Sequence, residues 1–132
     1  MNAPRKALAA AGVVLILASG CGRSDARSIG QEDVVSAFRK TGLEITEVRV
    51  PLFIEGVSYT HFPDGGGEAD LIVSVWESES DAASYVDQFS GHLVPSVRSL
   101  TREHNVVLQI NVGATSAVQG AAEEALRMIG SL

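Results

Sequence analysis

The chain has 132 residues, with 16 acidic and 10 basic side chains, a formal net charge of −6 and a single cysteine. This length suits one domain built around one hydrophobic core. An acidic chain repels polyanions, so the charge argues against nucleic acid as a partner. A single cysteine excludes an intramolecular disulfide, and the fold must therefore depend on its apolar core.

The first twenty residues have the order of a secretory signal peptide. The cations Arg5 and Lys6 precede an apolar run of 12 residues, Ala7–Ala18, and small residues follow it. A transmembrane helix needs about 20 apolar residues, so this run is too short for a permanent span. The pattern predicts a cleaved signal peptide over residues 1–20. The alternative interpretation is a buried helix of the folded domain.

The end of this segment, Ala18-Ser19-Gly20-Cys21, resembles the lipobox of bacterial lipoprotein precursors. The resemblance implies cleavage between Gly20 and Cys21, a diacylglyceryl group on the Cys21 sulfur and often an acyl chain on the new amino terminus. Ala18 departs from the usual leucine of the motif, and the same three residues also satisfy the small-x-small rule of ordinary signal peptidase. Plain secretion is therefore the alternative to a lipid anchor on the extracytoplasmic side of the cell membrane.

The segment after the cysteine is expected to be a tether. Cleavage would lower Lys+Arg from 10 to 8 and leave Asp+Glu at 16, which makes the mature net charge −8. Gly22–Gly30 is polar and rich in small residues, which is typical of a flexible linker spanning roughly 17 Å root-mean-square. A single domain is then expected over residues 31–132.

Apolar residues at helical spacing predict three helices. The first is expected at Gln31–Thr41, with Ser28 at capping-box distance from its first residue. The second follows Ser78, whose hydroxyl is expected to cap it, and stops at Gly91. The third is expected at Ser116–Ile129, with its first residue as the cap.

Alternating apolar and polar residues predict four strands, at Leu43–Val50, Val57–Phe62, Asp70–Glu77 and Val106–Val112. The second and third are expected to form a hairpin around Pro63–Gly67, where proline presets one dihedral and glycine permits positive φ. These glycines lie between two strands and no P-loop lysine follows them, so they do not predict a phosphate-binding loop. Val97–Arg102 is either a further strand or a helical turn.

The expected fold is α+β: a two-layer sandwich of a mainly antiparallel sheet with the helices on one face. A ferredoxin-like variant is one form of it. The pattern also resembles small uncharacterised domains of secreted and lipid-anchored bacterial proteins, a resemblance that implies no activity. The shared features are Gly42-Leu43 after a helix, Ser78, Asp81 and Ala82 at a helix start, and Asn105-Val106-Val107 before the last strand.

Few side chains suit catalysis or metal binding. His61, His92 and His104 lack the spacing of a zinc site. A weak metal site of His61 with Asp64 is an alternative. The sequence contains no Gly-x-Ser-x-Gly elbow for a serine nucleophile. We therefore expect no catalytic residue, no cofactor and no bound metal.

The leading functional hypothesis is a non-enzymatic module, attached to the membrane through the lipid on Cys21, that binds another protein of the cell envelope. Tyr59 and Trp76 are the candidate interaction residues, and burial of both would remove their support for this hypothesis. The second hypothesis is a small-molecule carrier, which requires an enclosed apolar pocket. The third is a hydrolase, which requires a cleft with clustered titratable groups.

Overall fold

The computed structural model describes residues 28–48, 56–63 and 67–132 of the chain. The predicted signal peptide, Cys21, most of the tether and Asp64 lie outside these residues. The elements follow one another as α1 (Gln31–Lys40), β1 (Thr46–Val48), β2 (Gly56–His61), β3 (Leu71–Trp76), α2 (Glu79–Phe89), β4 (Val97–Glu103), β5 (Val106–Asn111) and α3 (Ser116–Gly130). Within the described ranges, no helix is both long enough and apolar enough to cross a membrane.

The five strands form one sheet in the order β1-β2-β3-β5-β4, and each neighbouring pair is antiparallel. The predicted hairpin of β2 and β3 is confirmed, with Gly56 opposite Trp76 at one end and His61 opposite Leu71 at the other. Val97–Arg102, for which the sequence allowed either a strand or a helical turn, lies in strand β4. This strand pairs with β5 and forms one edge of the sheet.

The main core lies between one face of the sheet and the helices α1 and α3. Alternate residues of β3 and β5 reach this core, and each helix adds its apolar stripe. The largest fully buried side chains in it are Val34, Phe38, Leu71, Val73, Leu108, Ile110 and Ile129. The predicted α+β sandwich with a mainly antiparallel sheet is confirmed, with α1 and α3 as the helical layer over this core.

Helix α2 lies on the opposite face of the sheet from α1 and α3, unlike the predicted arrangement with all helices on one face. A second cluster there joins Trp76, Ala82, Tyr85, Val86, Leu100 and Val107. The central strands explain this placement, because β3 and the start of β5 are apolar at both odd and even positions and both of their faces need cover. Since β3 and β4 both run antiparallel to the β5 strand between them, β3–α2–β4 is a split βαβ unit, as in ferredoxin-like folds.

Two of the three helix caps differ from the sequence-based expectation. Helix α1 begins after Gly30, which has no side-chain cap, and the hydroxyl of Ser28 instead donates to the carbonyl of Glu77 at 3.4 Å. Helix α3 is capped one residue early, by Thr115, whose hydroxyl accepts a backbone N–H three residues on. The predicted cap of α2 by Ser78 is confirmed at 3.0 Å.

Strand β2 begins at a glycine because its backbone lies directly against that of β3. A Cβ atom on Gly56 would lie 2.1 Å from the carbonyl oxygen of Val75 and 3.0 Å from the Cα of Trp76. Backbone atoms inside a paired sheet cannot shift as a flexible side chain can. A larger residue therefore cannot occupy this position without opening the hairpin.

Two glycine-to-alanine substitutions are expected to change stability in opposite directions. Gly56→Ala should lower the free energy of unfolding by about 2 kcal/mol or more, because the added methyl group meets backbone. Gly120→Ala in α3 has open space around it, and it should raise the free energy of unfolding by about 0.5–1 kcal/mol through helix propensity. Urea unfolding of both variants measures the difference, and an equal response of the two would contradict this account of Gly56.

Candidate functional site

The described part of the chain begins at the end of the sheet where β3 stops and β4 turns into β5, here called the junction end. Asn105, in that turn, is only 1% exposed. Its Oδ1 accepts the N–H of Ile29 at 2.6 Å, and its Nδ2 donates to the carbonyls of Ile29 at 3.1 Å and Trp76 at 2.8 Å. One amide thus binds both the N–H and the carbonyl of Ile29, as a neighbouring strand would, and fixes where the described chain begins on the sheet.

An open cleft of about 350 Å³ lies beside Asn105 at the junction end. Its walls are formed by Ser28, Ile29, Gly30, Gln31, Gly56, Val57, Val75, Trp76, Glu77 and Asn105. The cleft is open to solvent, and the amide of Asn105 within it is already hydrogen-bonded on both of its polar atoms. This shape does not match the enclosed apolar pocket that a small-molecule carrier requires.

The opposite end of the sheet carries exposed apolar side chains, here called the apolar tip. The tip consists of Phe62, Phe89, Leu93, Val94 and Val112, which are 37–57% exposed. Among the described residues, the one other exposed large apolar side chain is the C-terminal Leu132. The tip lies roughly 20 Å from the junction end, the length of a six-residue strand at about 3.3 Å per residue.

Sheet pairing brings the tip together from three separate segments. Phe62 follows β2 where the hairpin closes, at the N–H of Asp70 that donates to the carbonyl of His61. Val112 follows β5, and its N–H donates to the carbonyl of Ser96 just before β4. Helix α2 starts at the junction end after β3 and runs back along the sheet, so its last residues and the following loop lie at the same end of the sheet as these strand ends.

Hydrogen bonds hold the backbone of the tip in place. Arg98 donates from Nη2 to the carbonyl of Val112 at 2.7 Å and from Nη1 to Oε1 of Gln119 at 2.6 Å. The N–H of Val97 donates to the carbonyl of Val94 at 2.9 Å. The apolar side chains therefore project from an ordered backbone, which lowers the entropy lost when a partner binds.

Acidic side chains border the tip. Glu68 lies in the loop before β3, Asp87 lies two residues before the end of α2, and both are exposed. Helix α2 has no basic residue in its last turn. The nearby cation Arg98 is engaged with backbone and side-chain oxygens. Exposed side chains of both charge signs therefore lie at this end of the sheet, because Arg39 and Lys40 occupy the last turn of α1 there.

The two aromatic residues proposed from sequence are both buried. Tyr59 is 5% exposed and its hydroxyl donates to Oε1 of Gln31 at 2.9 Å, while Trp76 is 9% exposed. They therefore do not form an exposed aromatic surface, and their expected support for an interaction role is removed. The Trp76 ring instead begins an aromatic row under α2, 5.0 Å from Tyr85, which lies 5.0 Å from Phe89 of the tip.

A buried hydrogen bond between His61 and Asp70 closes the β2–β3 hairpin close to the tip. Asp70 is 2% exposed, and its Oδ1 accepts from Nδ1 of His61 at 2.6 Å, while its Oδ2 is buried without a hydrogen bond. A carboxylate that orients a histidine is one part of a catalytic triad, and a nucleophile must complete it. Across the ranges that the structure describes, no three His, Cys, Asp or Glu side chains form a metal-binding group. We assign the pair to closure of the hairpin.

The other two histidines lie in different surroundings. His92 is exposed in the loop after α2. His104 has a left-handed φ of 53° in the turn between β4 and β5, and its Nε2 lies 3.3 Å from the carbonyl of Gly130. Neither His92 nor His104 is hydrogen-bonded to His61 or Asp70 within the described residues, so neither extends that pair.

Sequence reasoning did not identify the apolar tip. The helical spacing that marks α2 also places Phe89 on the buried stripe, and the alternation of β5 places Val112 on a core face. One local signal was available, namely the adjacent apolar residues Leu93 and Val94 between the helix-stopping Gly91 and Pro95. The other residues join the tip only through strand register.

Comparison with known proteins gave no match to this chain from a protein-family model, a curated protein or a solved structure. The lipobox and domain resemblances therefore remain interpretations of the residues themselves.

Replacing Asn105 by alanine should destabilise the domain by about 2–4 kcal/mol, because the buried peptide groups of Ile29 and a carbonyl of Trp76 lose their partners. The matched control is Asn111→Ala, whose half-buried amide donates to the carbonyl of Ala69 and accepts from Nε2 of Gln109, and whose loss should cost about 1–2 kcal/mol. Urea unfolding of the two variants gives both values. Equal losses would mean that the Asn105 amide has no special role.

Tyr59 should make stability depend on alkaline pH. Burial, and secondarily the Glu47 carboxylate opposite it on β1, raises the pKa of the Tyr59 phenol above its usual value of 10.0. The unfolded chain therefore loses this proton first, and rising pH favours unfolding once it passes about 10. The variant Tyr59→Phe should lose about 1 kcal/mol at neutral pH with the hydrogen bond to Gln31.

This deficit should shrink above pH ~10, because the variant has no phenol at this position whose proton the folded state retains. Urea midpoints of both proteins at neutral and alkaline pH test this. A deficit that stays constant across the pH range would contradict the raised pKa.

Proposed function

We propose that this protein is a lipid-anchored module of the bacterial cell envelope that binds another envelope protein through its apolar tip. The observation that carries the proposal is the placement of the exposed apolar residues at the end of the sheet opposite the junction end. Exposed apolar patches on soluble domains are typical of interaction sites. The module needs no catalytic group for this role.

The anchor part of the proposal rests on the sequence up to Cys21. Each acyl methylene buried in the bilayer contributes roughly 0.8 kcal/mol, and a single chain binds only marginally. Two or three chains on the Cys21 thiol and amino group would hold the protein on the membrane. A lipid anchor needs no basic protein surface to attach to the membrane. The net negative charge of the mature chain would instead repel anionic lipid head groups.

The two ends of the domain support a defined orientation. The short tether starts at Cys21 and meets the domain at Ile29, where the Asn105 amide holds the backbone. The junction end then faces the membrane, and the tip lies roughly 20 Å further out, by the rise of the strands between them. A partner that stands in or on the same membrane would meet the tip from above.

The variant Cys21→Ser tests the anchor. The native protein should sediment with membranes, and its intact mass should equal residues 21–132 plus a diacylglyceryl group, with or without an amide-linked acyl chain. The variant should remain unprocessed or be released, whereas the control Ser24→Ala, three residues further on, should behave like the native chain. A Cys21→Ser protein that is fully membrane-bound and correctly cleaved would refute the anchor, and a native mass of bare residues 21–132 would indicate plain secretion.

A further inference from the structure

We propose that repulsion between the acidic junction end and an anionic lipid surface holds the domain away from the bilayer, so that it stands upright on its tether with the apolar tip outward. This inference rests on the anchor proposed above and adds the arrangement of the domain on the membrane. The domain needs three features for this behaviour: negative charge concentrated at the junction end, no unmatched cation there to offset it, and a tether long enough to let the domain rise.

Acidic side chains concentrate at the junction end because two helices begin there. Carboxylates in the first turn of a helix are stabilised by its dipole, and α1 and α2 each have two of them. The β3–α2 connection and the end of β4 add one carboxylate each. The described acidic residues at this end are Glu32, Asp33, Glu77, Glu79, Asp81 and Glu103. The fold itself therefore gathers negative charge where the chain leaves toward Cys21.

The described arginines at the junction end already have carboxylate partners. Arg102 donates from Nη1 to Oε2 of Glu79 at 3.2 Å and to the carbonyl of His104 at 2.8 Å. Arg127, in the last turn of α3, donates to the carboxylate of Glu124 in the same helix. Both cations are thus matched locally. Within the described ranges, the other five carboxylates of this end form no ion pair with an arginine or a lysine.

The residues outside the described ranges change this balance little. The mature tether carries Arg23, Asp25 and Arg27, and the connection from β1 to β2 carries Arg49 and Glu55. Three cations and two anions add one net positive charge, which leaves a net charge of −4 at the junction end. The end of the domain nearest the membrane therefore stays acidic.

The opposite end of the sheet has no such excess of negative charge. Asp70 is buried there against His61. The exposed charged side chains of that end are equal in number for the two signs, with Arg39, Lys40 and Arg98 against Glu44, Glu68 and Asp87. The roughly 20 Å of strand between the two ends also exceeds two Debye lengths of about 8 Å at physiological ionic strength. An anionic membrane therefore acts mainly on the junction end.

The tether lets the domain rise but opposes its inversion. Residues 21–27 lie between the lipid and Ser28, where the described chain begins. A seven-residue linker spans roughly 15 Å root-mean-square and about 24 Å when fully extended. Head-group repulsion decays over ~8 Å, so this range is enough to escape it. Turning the tip toward the membrane would lift Ile29 by the roughly 20 Å length of the strands and would need nearly the whole extended linker.

The test measures the height of the tip end above vesicles that carry the mature lipoprotein. Lipidation blocks the Cys21 thiol, so a donor dye reacts only at Ser96→Cys, an exposed position just before β4. Energy transfer to acceptor-labelled head groups should report a height greater by about 5–8 Å, close to one Debye length, when phosphatidylglycerol replaces a third of the phosphatidylcholine. This difference should vanish in ~1 M salt, where the Debye length falls to about 3 Å.

Charge reversal locates the effect at the junction end. The double substitution Glu77→Lys with Asp81→Lys changes two exposed acidic residues there, and it should abolish the height difference between the two kinds of vesicle. The matched control, Glu68→Lys with Asp87→Lys, makes the same change in net charge on exposed residues at the tip end. It should preserve the height difference, because those charges lie more than two Debye lengths further from the membrane. Unchanged circular dichroism of both double variants confirms that they fold.

The outcomes separate the upright arrangement from the anchor itself. Equal heights on the two kinds of vesicle, or a control pair as effective as the junction pair, would overturn the arrangement and leave the anchor intact. A dye that lies closer to the anionic vesicles would also overturn it, because the domain would then have tipped over. A mature protein that carries no lipid mass and does not float with vesicles would overturn the anchor and the arrangement together.

Discussion

The side-chain amide of Asn105 determines how the start of the domain is attached to its sheet. Ile29 belongs to no strand, yet both of its peptide groups are buried and hydrogen-bonded because one amide supplies a donor and an acceptor at the right spacing. The same Nδ2 group reaches the last carbonyl of β3, and the backbone carbonyl of Asn105 accepts the N–H of Trp76 at 2.8 Å. Ile29, the end of β3 and the β4–β5 turn thereby become one hydrogen-bonded unit.

The arrangement of the helices follows from how apolar the strands are on each face. β3 and β5 have apolar residues on both faces, so α1 and α3 cover one side and α2 covers the other. No helix covers the ends of the strands, so the loops at each end determine which side chains are exposed to solvent there. At the junction end, Asn105 and Ser28 form hydrogen bonds with the backbone of neighbouring segments. At the far end, the loops carry exposed phenylalanine, leucine and valine side chains.

Much of the fold was predictable because local patterns and tertiary contacts agree. The β2–β3 hairpin, the Ser78 cap and the three amphipathic helices follow from alternation, capping chemistry and helical spacing. The side of the sheet on which α2 packs was not predictable in this way. An apolar stripe indicates that one side of a helix is buried, but it does not indicate which face of the sheet that side packs against. The capping of α1 was also missed, since Ser28 finds a tertiary acceptor in the carbonyl of Glu77.

The sequence by itself determined the class of the fold, its helices and most of its strands, since these depend on spacings of two to four residues along the chain. It also contains the whole of the argument for Cys21, because signal peptides and lipoboxes are linear motifs. Only the tertiary structure decided that Tyr59 and Trp76 are buried, that His61 is hydrogen-bonded to Asp70, and that Phe62 and Val94 lie at the same end of the sheet. Those relations join residues far apart in sequence, and strand register and helix placement bring them together physically.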